Sequence, residues 1–592
     1  MKNKAVQQTL TICLMLAFIT AVVCCGRKEE FRENRLNRQV ERTLSRMSTR
    51  EKVAQLIVSQ TDSYIFADGH ALHTDTLVGI EGIGGLLVLQ DSLPRYMKRM
   101  NELQAMSKIP LAISIDGEWG PSMRFGEFPF FPQQMQLGAL TDDSLIYEMG
   151  LAVAEQCQMI NIHINYAPVV DININPKNPV IHARSFGENR DKVTRFANAY
   201  MRGMQDGGII ACSKHFPGHG DTEVDSHKAL PILPFSKERL DSLELYPFRD
   251  QINSGVKMVM MGHLHIPALD SAVSSISYPI VTGLLKEELG FDGLVVTDAL
   301  TMKGVSENME APEIALAAYK AGVDILLKPG DIIGCIDRLE EAMLSGECDM
   351  AELDNRVRKT LRMKAEFGML SRGYNPIIPV EGITERVMKP EHIALTQQLS
   401  EKSMTLVNND LSLIPLNTNK KIAYVAYNAK KIPLRREYGE GGEALSGYNP
   451  ATGMVDSTTL MYQHILSAVK ANKQGDVHYF ALDKKSTKAD IEAVYKHLSD
   501  YDVVVLACHD PRGRSRKNLL AEEHVDMMTK LVKKFHPVLV HFGSPYGLSD
   551  LPWIEEAGAV LVGYQDSENN QRAAGKVLVG EIQAEGILPV TL

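Results

Sequence analysis

The chain has 592 residues, of which 44% are hydrophobic and 23% charged, an ordinary composition for a globular protein of about two to four domains. Its net charge of −10 argues against a nucleic-acid-binding protein, because phosphate contacts need concentrated lysine and arginine. The eight cysteines have no CxxC spacing, so they predict neither a disulfide framework nor a zinc site.

The first 25 residues have the pattern of an export signal. Lys2 and Lys4 precede the apolar run LTICLMLAFITAVVCC, which is shorter than the roughly 20 residues a spanning helix needs. The adjacent Cys24 and Cys25 resemble the cleavage site of bacterial lipoproteins. We expect a lipoprotein-type signal peptide over 1–25, a periplasmic or outer-membrane location, and membrane contact only through the lipid anchor. A retained, uncleaved anchor is the alternative.

Eight short apolar runs alternate with amphipathic stretches between about residues 50 and 370. Continuous apolar runs are typical of the buried strands of a parallel sheet. The runs are AQLIVSQ, GGLLVL, PLAISID, NIHINYAPVVDI, GIIACSKHF, VKMVMMGHLHI, DGLVVTDAL and GVDILLKPG. DSLIYEMGLAVAEQCQ, RDKVTRFANAYMRGMQDG and PEIALAAYKAG between them are helix-like. We predict a (β/α)8 TIM barrel over 40–370, with a doubly wound sheet as the alternative.

A second unit is predicted over 400–592. Five further apolar runs, KKIAYVAY, DVHYFAL, YDVVVLACHD, HPVLVHFG and AGAVLVGY, are separated by helical patterns. They indicate a smaller α/β domain. Residues 371–399, which contain three prolines, are interpreted as the linker.

Polar residues follow several of the predicted barrel strands. Asp116, Lys214, His215, His263 and Asp298 each come at or just after the end of an apolar run. In a parallel barrel these positions gather on the carboxyl-terminal rim, where the active sites of this fold lie.

The stretch KHFPGHGDTEVDSH (214–227) allows three interpretations: a metal site, a catalytic loop or a polar turn. His215 and His219 have the spacing of two metal ligands on a helix, but Pro217 and Gly218 between them disfavour a helix. We therefore predict neither a metal nor a cofactor. Asp225 beside His227 could fix the imidazole tautomer and help to move a proton near neutral pH. His219 receives no role.

Asp298 ends the apolar run FDGLVVTDAL. An acid in this position caps the next helix or takes part in chemistry. A rim carboxylate together with a separate proton donor suits retaining glycoside hydrolysis, in which the carboxylate attacks the anomeric carbon.

Several motifs resemble glycoside hydrolase family 3, in particular its bacterial two-domain β-N-acetylglucosaminidase branch. The most specific is KHFPGHGDTEVDSH, and RSFGENRDKV, FDGLVVTDALTMKGV, MSTREKVAQLI and SMTLVNNDLSLIPL also match. The resemblance covers most of 45–592 and implies a barrel followed by an α/β sandwich.

The resemblance also implies residue roles. The nucleophile falls on Asp298 and the acid/base on His227, with Asp225 as its partner. The sugar-binding residues fall on Asp116, Arg184, Lys214 and His215. DGEWGPSMRF departs from the family pattern after Asp116, and Arg124 is taken as the arginine of that motif. For Arg184 and Lys214, a salt bridge that closes the rim is the alternative.

The implied activity is that of a retaining exo-β-N-acetylglucosaminidase acting on terminal β-linked GlcNAc, such as that of peptidoglycan fragments. The alternatives are a family-3 β-glucosidase or β-xylosidase, a GlcNAc phosphorylase, and a non-catalytic glycan-binding lipoprotein.

Overall fold

The computed structural model describes residues 30–61, 70–307, 309–429, 448–449, 454–455, 459–472, 474–510, 520–549, 551 and 553–592. The predicted signal peptide, 1–25, lies outside the described residues. Within these ranges, no helix combines the length and the apolar character needed to cross a membrane.

The first domain is built around eight parallel strands. They are β1 (Ile57–Gln60), β2 (Gly85–Val88), β3 (Ala112–Ile115), β4 (Ile164–Asn165), β5 (Ile210–Phe216), β6 (Met258–Met261), β7 (Leu294–Thr297) and β8 (Leu326–Leu327). Their order is β7-β6-β5-β4-β3-β2-β1-β8, and a parallel bridge between Val296 and Ile325 joins the two ends. Each predicted run contains one strand. The barrel prediction is confirmed, and the doubly wound alternative is wrong.

Helices surround this barrel. They are α1 (30–44), α2 (Thr49–Ala54), α3 (His70–Thr76), α4 (Leu93–Met106), α5 (Gln134–Leu137), α6 (Ser144–Met159), α7 (Arg190–Asp206), α8 (Lys237–Ser242), α9 (Tyr246–Asn253), α10 (Lys303–Ser306), α11 (Ala311–Ala321), α12 (Ile332–Leu344) and α13 (Met350–Glu366). The three helix-like stretches form α6, α7 and α11. Two segments, Leu77–Glu81 and Pro279–Glu288, are wider π-helical turns. Ser48 and Glu51 form a capping box that starts α2.

The segment 371–399 contains α14 (Ile383–Val387) and most of α15 (Pro390–Ser403). Helix α15 packs against α6 of the barrel and α19 (Glu568–Val579) of the second domain. At the α6 contact, His392 Nε2 lies 3.1 Å from Glu155 Oε2.

The second domain has a six-stranded sheet. Its strands are β9 (Thr405–Asn408), β10 (Lys421–Tyr427), β13 (Asp476–Leu482), β14 (Val503–His509), β15 (Val538–Phe542) and β16 (Ala559–Val562). Their order is β13-β10-β14-β15-β16-β9, and all neighbours are parallel except the edge strand β9. The short pair β11 (Tyr448–Asn449) and β12 (Met454–Val455) is separate.

Helices α16 (Leu460–Asn472), α17 (Lys488–His497) and α18 (Val525–Phe535), with α19, accompany this sheet. Two hydrophobic clusters, containing alternate residues of the same strands, line its two faces. The five predicted strands and the α/β sandwich are confirmed, whereas β9 was not predicted.

The second domain contacts the loops at the carboxyl ends of the barrel strands. Tyr546 donates a hydrogen bond to the Asn173 carbonyl, and its hydroxyl accepts one from Asn173 Nδ2, both at 3.0 Å. The Glu188 amide donates to the Pro589 carbonyl at 3.1 Å. The second domain therefore supports the rim where the candidate residues gather.

Candidate active site

A cavity of about 360 Å³ opens at the carboxyl ends of the strands. Its wall includes all eight residues to which the family resemblance assigned a role. They are Asp116, Arg124, Arg184, Lys214, His215, Asp225, His227 and Asp298. Glu118, His182 and His219, which received no role from the sequence, also line it.

Asp298 directly follows β7 and is half-buried in the cavity wall. Its Oδ1 accepts a hydrogen bond from the Ala299 amide at 2.7 Å. Burial acts to raise its pKa, but its electrostatic interactions with His215, His263, the Ala299 amide and Lys214 outweigh burial, so the pKa lies below its usual range. The helix-capping alternative is wrong, because α10 begins only at Lys303 and has Met302 as its N-cap residue. Asp298 is an ionised carboxylate facing the cavity.

Asp225 and His227 form the predicted pair. Asp225 Oδ1 lies 3.0 Å from His227 Nδ1 and also accepts the His227 amide at 3.0 Å. Burial acts to raise the pKa of Asp225, but the hydrogen bonds to His227 outweigh burial, so the pKa lies below its usual range. The His227 side chain is 65% exposed, and in the described part of the chain no group bonds its Nε2. That nitrogen is free to meet a substrate.

His219 fixes the loop that carries this pair. Its Nε2 lies 3.2 Å from Ser226 Oγ, and its Nδ1 lies 2.8 Å from Thr222 Oγ1. Burial lowers its pKa to about 4, so its ring is neutral at physiological pH. Because Ser226 stands between Asp225 and His227, His219 fixes the backbone between these two residues.

Glu118 neutralises the two cations for which a salt bridge was the alternative. Arg184 binds it through Nε at 3.1 Å and Nη2 at 2.7 Å, and Lys214 Nζ lies 2.9 Å from its Oε1. Burial acts to raise the pKa of Glu118, but the two cations outweigh burial and hold it well below its usual range. The salt bridge is present, while both cations also line the cavity.

Asp116 lies between two cations. Its Oδ1 accepts a hydrogen bond from Lys214 Nζ at 3.0 Å, and its Oδ2 lies 3.3 Å from Arg124 Nη2. Arg124 Nε also donates to the Asp116 carbonyl at 3.1 Å. The carboxylate keeps 27% of its side-chain surface exposed, which leaves acceptor capacity for sugar hydroxyls.

Asp171 sets the tautomer of His215. Its Oδ2 lies 2.7 Å from His215 Nδ1, and Arg184 Nη2 lies 3.2 Å from His215 Nε2. A guanidinium can only donate, so Nε2 accepts and the ring proton is on Nδ1, bonded to Asp171. The only sequence signal for Asp171 was an acid inside the apolar run NIHINYAPVVDI.

His263 does not line the cavity. It is fully buried, with Nδ1 2.7 Å from Ser275 Oγ and Nε2 3.1 Å from the Ala299 carbonyl. It therefore supports the turn after Asp298. Throughout the described ranges, no group of three or more His, Cys, Asp or Glu residues is placed to hold a metal ion.

An ionised carboxylate and a separate proton donor on one barrel rim suit a glycoside hydrolase. The chain belongs to glycosyl hydrolase family 3. The N-terminal domain of that family matches residues 48–363, and its C-terminal domain matches 404–592. The family resemblance of the motifs is confirmed.

Several relatives of this chain have β-hexosaminidase or β-N-acetylglucosaminidase names, and the similar solved structures also include a β-glucoside phosphorylase and a β-glucosidase. β-Hexosaminidase A of Pseudoalteromonas piscicida is 27% identical over 531 residues, covering 83% of this chain and 84% of the relative. A β-N-acetylglucosaminidase/β-glucosidase of Cellulomonas fimi is 27% identical over 532 residues, covering 87% and 89%. The solved family-3 β-N-acetylglucosaminidase of Paenibacillus sp. str. FPU-7 is 29% identical, covers 92% of this chain and 99% of its own, and superposes with a TM-score of 0.74.

Proposed function

We propose that this enzyme is a retaining exo-β-N-acetylglucosaminidase that releases terminal β-linked GlcNAc. The observation that carries the proposal is that Asp298 and the Asp225–His227 pair open onto one cavity. The names of the relatives support GlcNAc as the sugar. The cavity volume lies at the low end for ligand sites, which favours a single terminal sugar over an internal stretch of polymer.

In the first step, Asp298 attacks the anomeric carbon and the glycosidic bond breaks. The proton on His227 Nε2 passes to the leaving oxygen, so the aglycone departs as an alcohol and the sugar remains as an ester of Asp298. Asp225 stabilises the imidazolium through Nδ1 before the transfer and keeps the ring oriented after it.

In the second step, water attacks the same carbon from the face that the aglycone left. His227 Nε2 now takes the proton from this water, and the Asp298 ester bond breaks. The products are GlcNAc with its original β configuration, a free Asp298 carboxylate and a protonated His227.

The cations and carboxylates on the rim hold the sugar. Asp116 accepts hydrogen bonds from sugar hydroxyls, and Arg184 and Lys214 donate charge-assisted ones while Glu118 keeps them fixed. Arg124 and His215 complete this wall.

Trapping the covalent intermediate tests the proposal. A fluorinated GlcNAc analogue should label the enzyme at a single peptide containing Asp298, because fluorine slows the second step. Asp298→Asn should abolish both labelling and turnover. The matched control, Asp337→Asn on the exposed surface of α12, should label and turn over normally. A label on any other residue would show that the nucleophile is wrongly assigned.

Comparing aryl glycosides tests the sugar. We expect aryl β-GlcNAc to be cleaved faster than the aryl β-glucoside and β-xyloside. Faster cleavage of either of the other two would favour the glucosidase or xylosidase alternative, as the double name of the Cellulomonas relative keeps open. A GlcNAc 1-phosphate product in phosphate buffer would indicate a phosphorylase, and no turnover at all would indicate a glycan-binding protein.

The predicted export signal would place the enzyme where peptidoglycan fragments occur.

A further inference from the structure

Helix α1 (30–44) buries one face and exposes the other. Leu36, Val40 and Leu44, spaced four residues apart, are 2–4% exposed and belong to the hydrophobic core of the barrel domain. This spacing puts the three side chains on one face of the helix, which is therefore docked onto the barrel.

The carboxylates of α1 that face α13 are paired. Glu33 lies 2.6 Å from Arg362 Nη2, and Glu41 lies 2.6 Å from Arg358 Nε. Their charge is neutralised by α13, so Glu33 and Glu41 do little to offset the arginines of α1 itself.

The opposite face of α1 carries arginines. Arg35, Arg38 and Arg42 follow at intervals of three and four residues, and Arg46 follows in the turn after the helix. All four are exposed, and none forms an ion pair within the described ranges. Phe31, four residues before Arg35, adds an aromatic ring that is 67% exposed to the same face.

This face is unusual for the molecule that carries it. The chain has a net charge of −10, yet here unpaired guanidinium groups stand together beside an exposed aromatic ring. Guanidinium groups bind phosphates through paired donors, and clusters of basic residues next to a membrane anchor bind anionic lipid headgroups.

Two further features identify a bilayer as the partner. The apolar run ends at Cys25, ten residues before Arg35, and ten residues of extended chain reach about 35 Å at most. A lipid anchor at Cys25 would therefore hold α1 close to the membrane. The cavity between α1 and α13 is lined by Lys286 and Asp324, which precede β7 and β8, so α1 lies at the amino ends of the strands. The active-site cavity lies at the opposite, carboxyl ends.

We propose that the outer face of α1 (Arg35, Arg38, Arg42, Arg46 and Phe31) binds the anionic headgroups of a phospholipid bilayer. Each basic residue next to a membrane anchor strengthens binding to an anionic surface about fivefold. The α1 face supplies such residues, and it leaves the active-site cavity open on the other side of the barrel.

Partition of the full chain between two kinds of vesicle tests this proposal. The protein is mixed with neutral phosphatidylcholine vesicles and with vesicles that contain phosphatidylglycerol, and the protein bound to each kind is measured. An apolar anchor contributes equally to binding of both kinds, so the ratio of the two bound amounts reports the effect of headgroup charge. We expect a preference for phosphatidylglycerol of at least about tenfold at low salt, because each arginine near such a surface is worth about fivefold. In molar salt, where the screening length is about 3 Å, the preference should vanish.

The variants locate the surface. R35Q/R38Q/R42Q should reduce the preference at least about tenfold without changing glycosidase activity. The matched control K470Q/K488Q/K496Q removes three exposed cations from α16 and α17 and should leave the preference intact. Equal partition of the unmodified chain, or equal loss in both variants, would refute the proposal. So would binding to soluble polyphosphate as tight as that to vesicles of equal phosphate content, since the face would then recognise polyanions in general.

Discussion

Glu118 and Asp171 are the two carboxylates on which the geometry of the site depends, and the sequence did not assign either of them. Glu118 meets Arg184 across 66 residues of chain, and Asp171 meets His215 across 44. Such pairs form only when different strands bring their ends together. Asp116, Lys214, His215 and Asp298 were predictable because each ends or directly follows an apolar run. The other rim residues were assigned from motifs and from the family resemblance, namely Arg124, Arg184, Asp225 and His227.

Replacing Glu118 tests this interpretation. Glu118→Gln keeps the shape but leaves the buried Lys214 and the half-buried Arg184 without a full counter-charge, which costs about 3 kcal/mol of unfolding free energy. Activity should fall with it, as Lys214 and Arg184 lose their fixed positions. Denaturant unfolding and kcat/KM would measure both, with Glu341→Gln on the exposed side of α12 as the control.

The same carboxylate gives a pH signature. Its pKa is lower in the folded than in the unfolded state, so its stabilising effect is present above the ordinary glutamate pKa and is lost as the pH falls through the folded value. The stability gap between the unmodified enzyme and Glu118→Gln should therefore narrow in acid. A gap that stays constant between pH 7 and strong acid would contradict the assignment.

At the scale of elements, the loop between β5 and α8 is held by side chains and contains no regular helix. We expect His219→Ala to lower kcat on substrates with poor leaving groups far more than on activated aryl glycosides. Ser226 and the proposed proton donor His227 lose their fixed position, and only poor leaving groups depend strongly on that proton. His219→Gln, whose amide can still donate to Ser226, should restore part of the loss. His464→Ala, in α16 of the second domain, is the control. An equal loss on both substrate types would mean that His219 supports folding only.

The elements that the sequence predicted are those with a strong local pattern. Strands buried on both faces read as unbroken apolar runs, and α6, α7 and α11 have helical periodicity. Strand β9 escaped prediction because it is a four-residue edge strand whose last three residues are only half-buried. The prolines of 371–399 indicated a linker, yet Pro390 stands in the first turn of α15, where proline is well tolerated.

At the scale of the whole molecule, a buried lysine limits the stability of the barrel. Lys364 of α13 is fully buried and donates to Gln55 Oε1 at 2.7 Å. Burial lowers its pKa to about 7, well below the ordinary lysine value. Between those two values the unfolded chain binds a proton that the folded chain does not, so stability rises with pH across this window.

Replacing this lysine should remove that dependence. Lys364→Met should have a higher free energy of unfolding than the unmodified protein, and the difference should be largest below pH 7. This difference should shrink by up to about 1.4 kcal/mol per pH unit toward pH 10. Thermal unfolding across this range would show it, with the exposed Lys530→Met as control. A pH-independent difference would mean that the amine stays charged in the folded protein.

The contact between the second domain and the rim also orders events in time. The Glu188 amide binds the Pro589 carbonyl, and the Glu188 carboxylate accepts the Thr591 amide at 2.9 Å across 403 residues of chain. At ordinary rates of synthesis, about 20 to 80 seconds separate the making of these two ends. During that interval the barrel can close, but the loop that carries Arg184 still lacks its support. We therefore expect a chain truncated before Pro589 to bind the sugar more weakly than the full chain, because its Arg184 loop lacks the contacts made by Glu188.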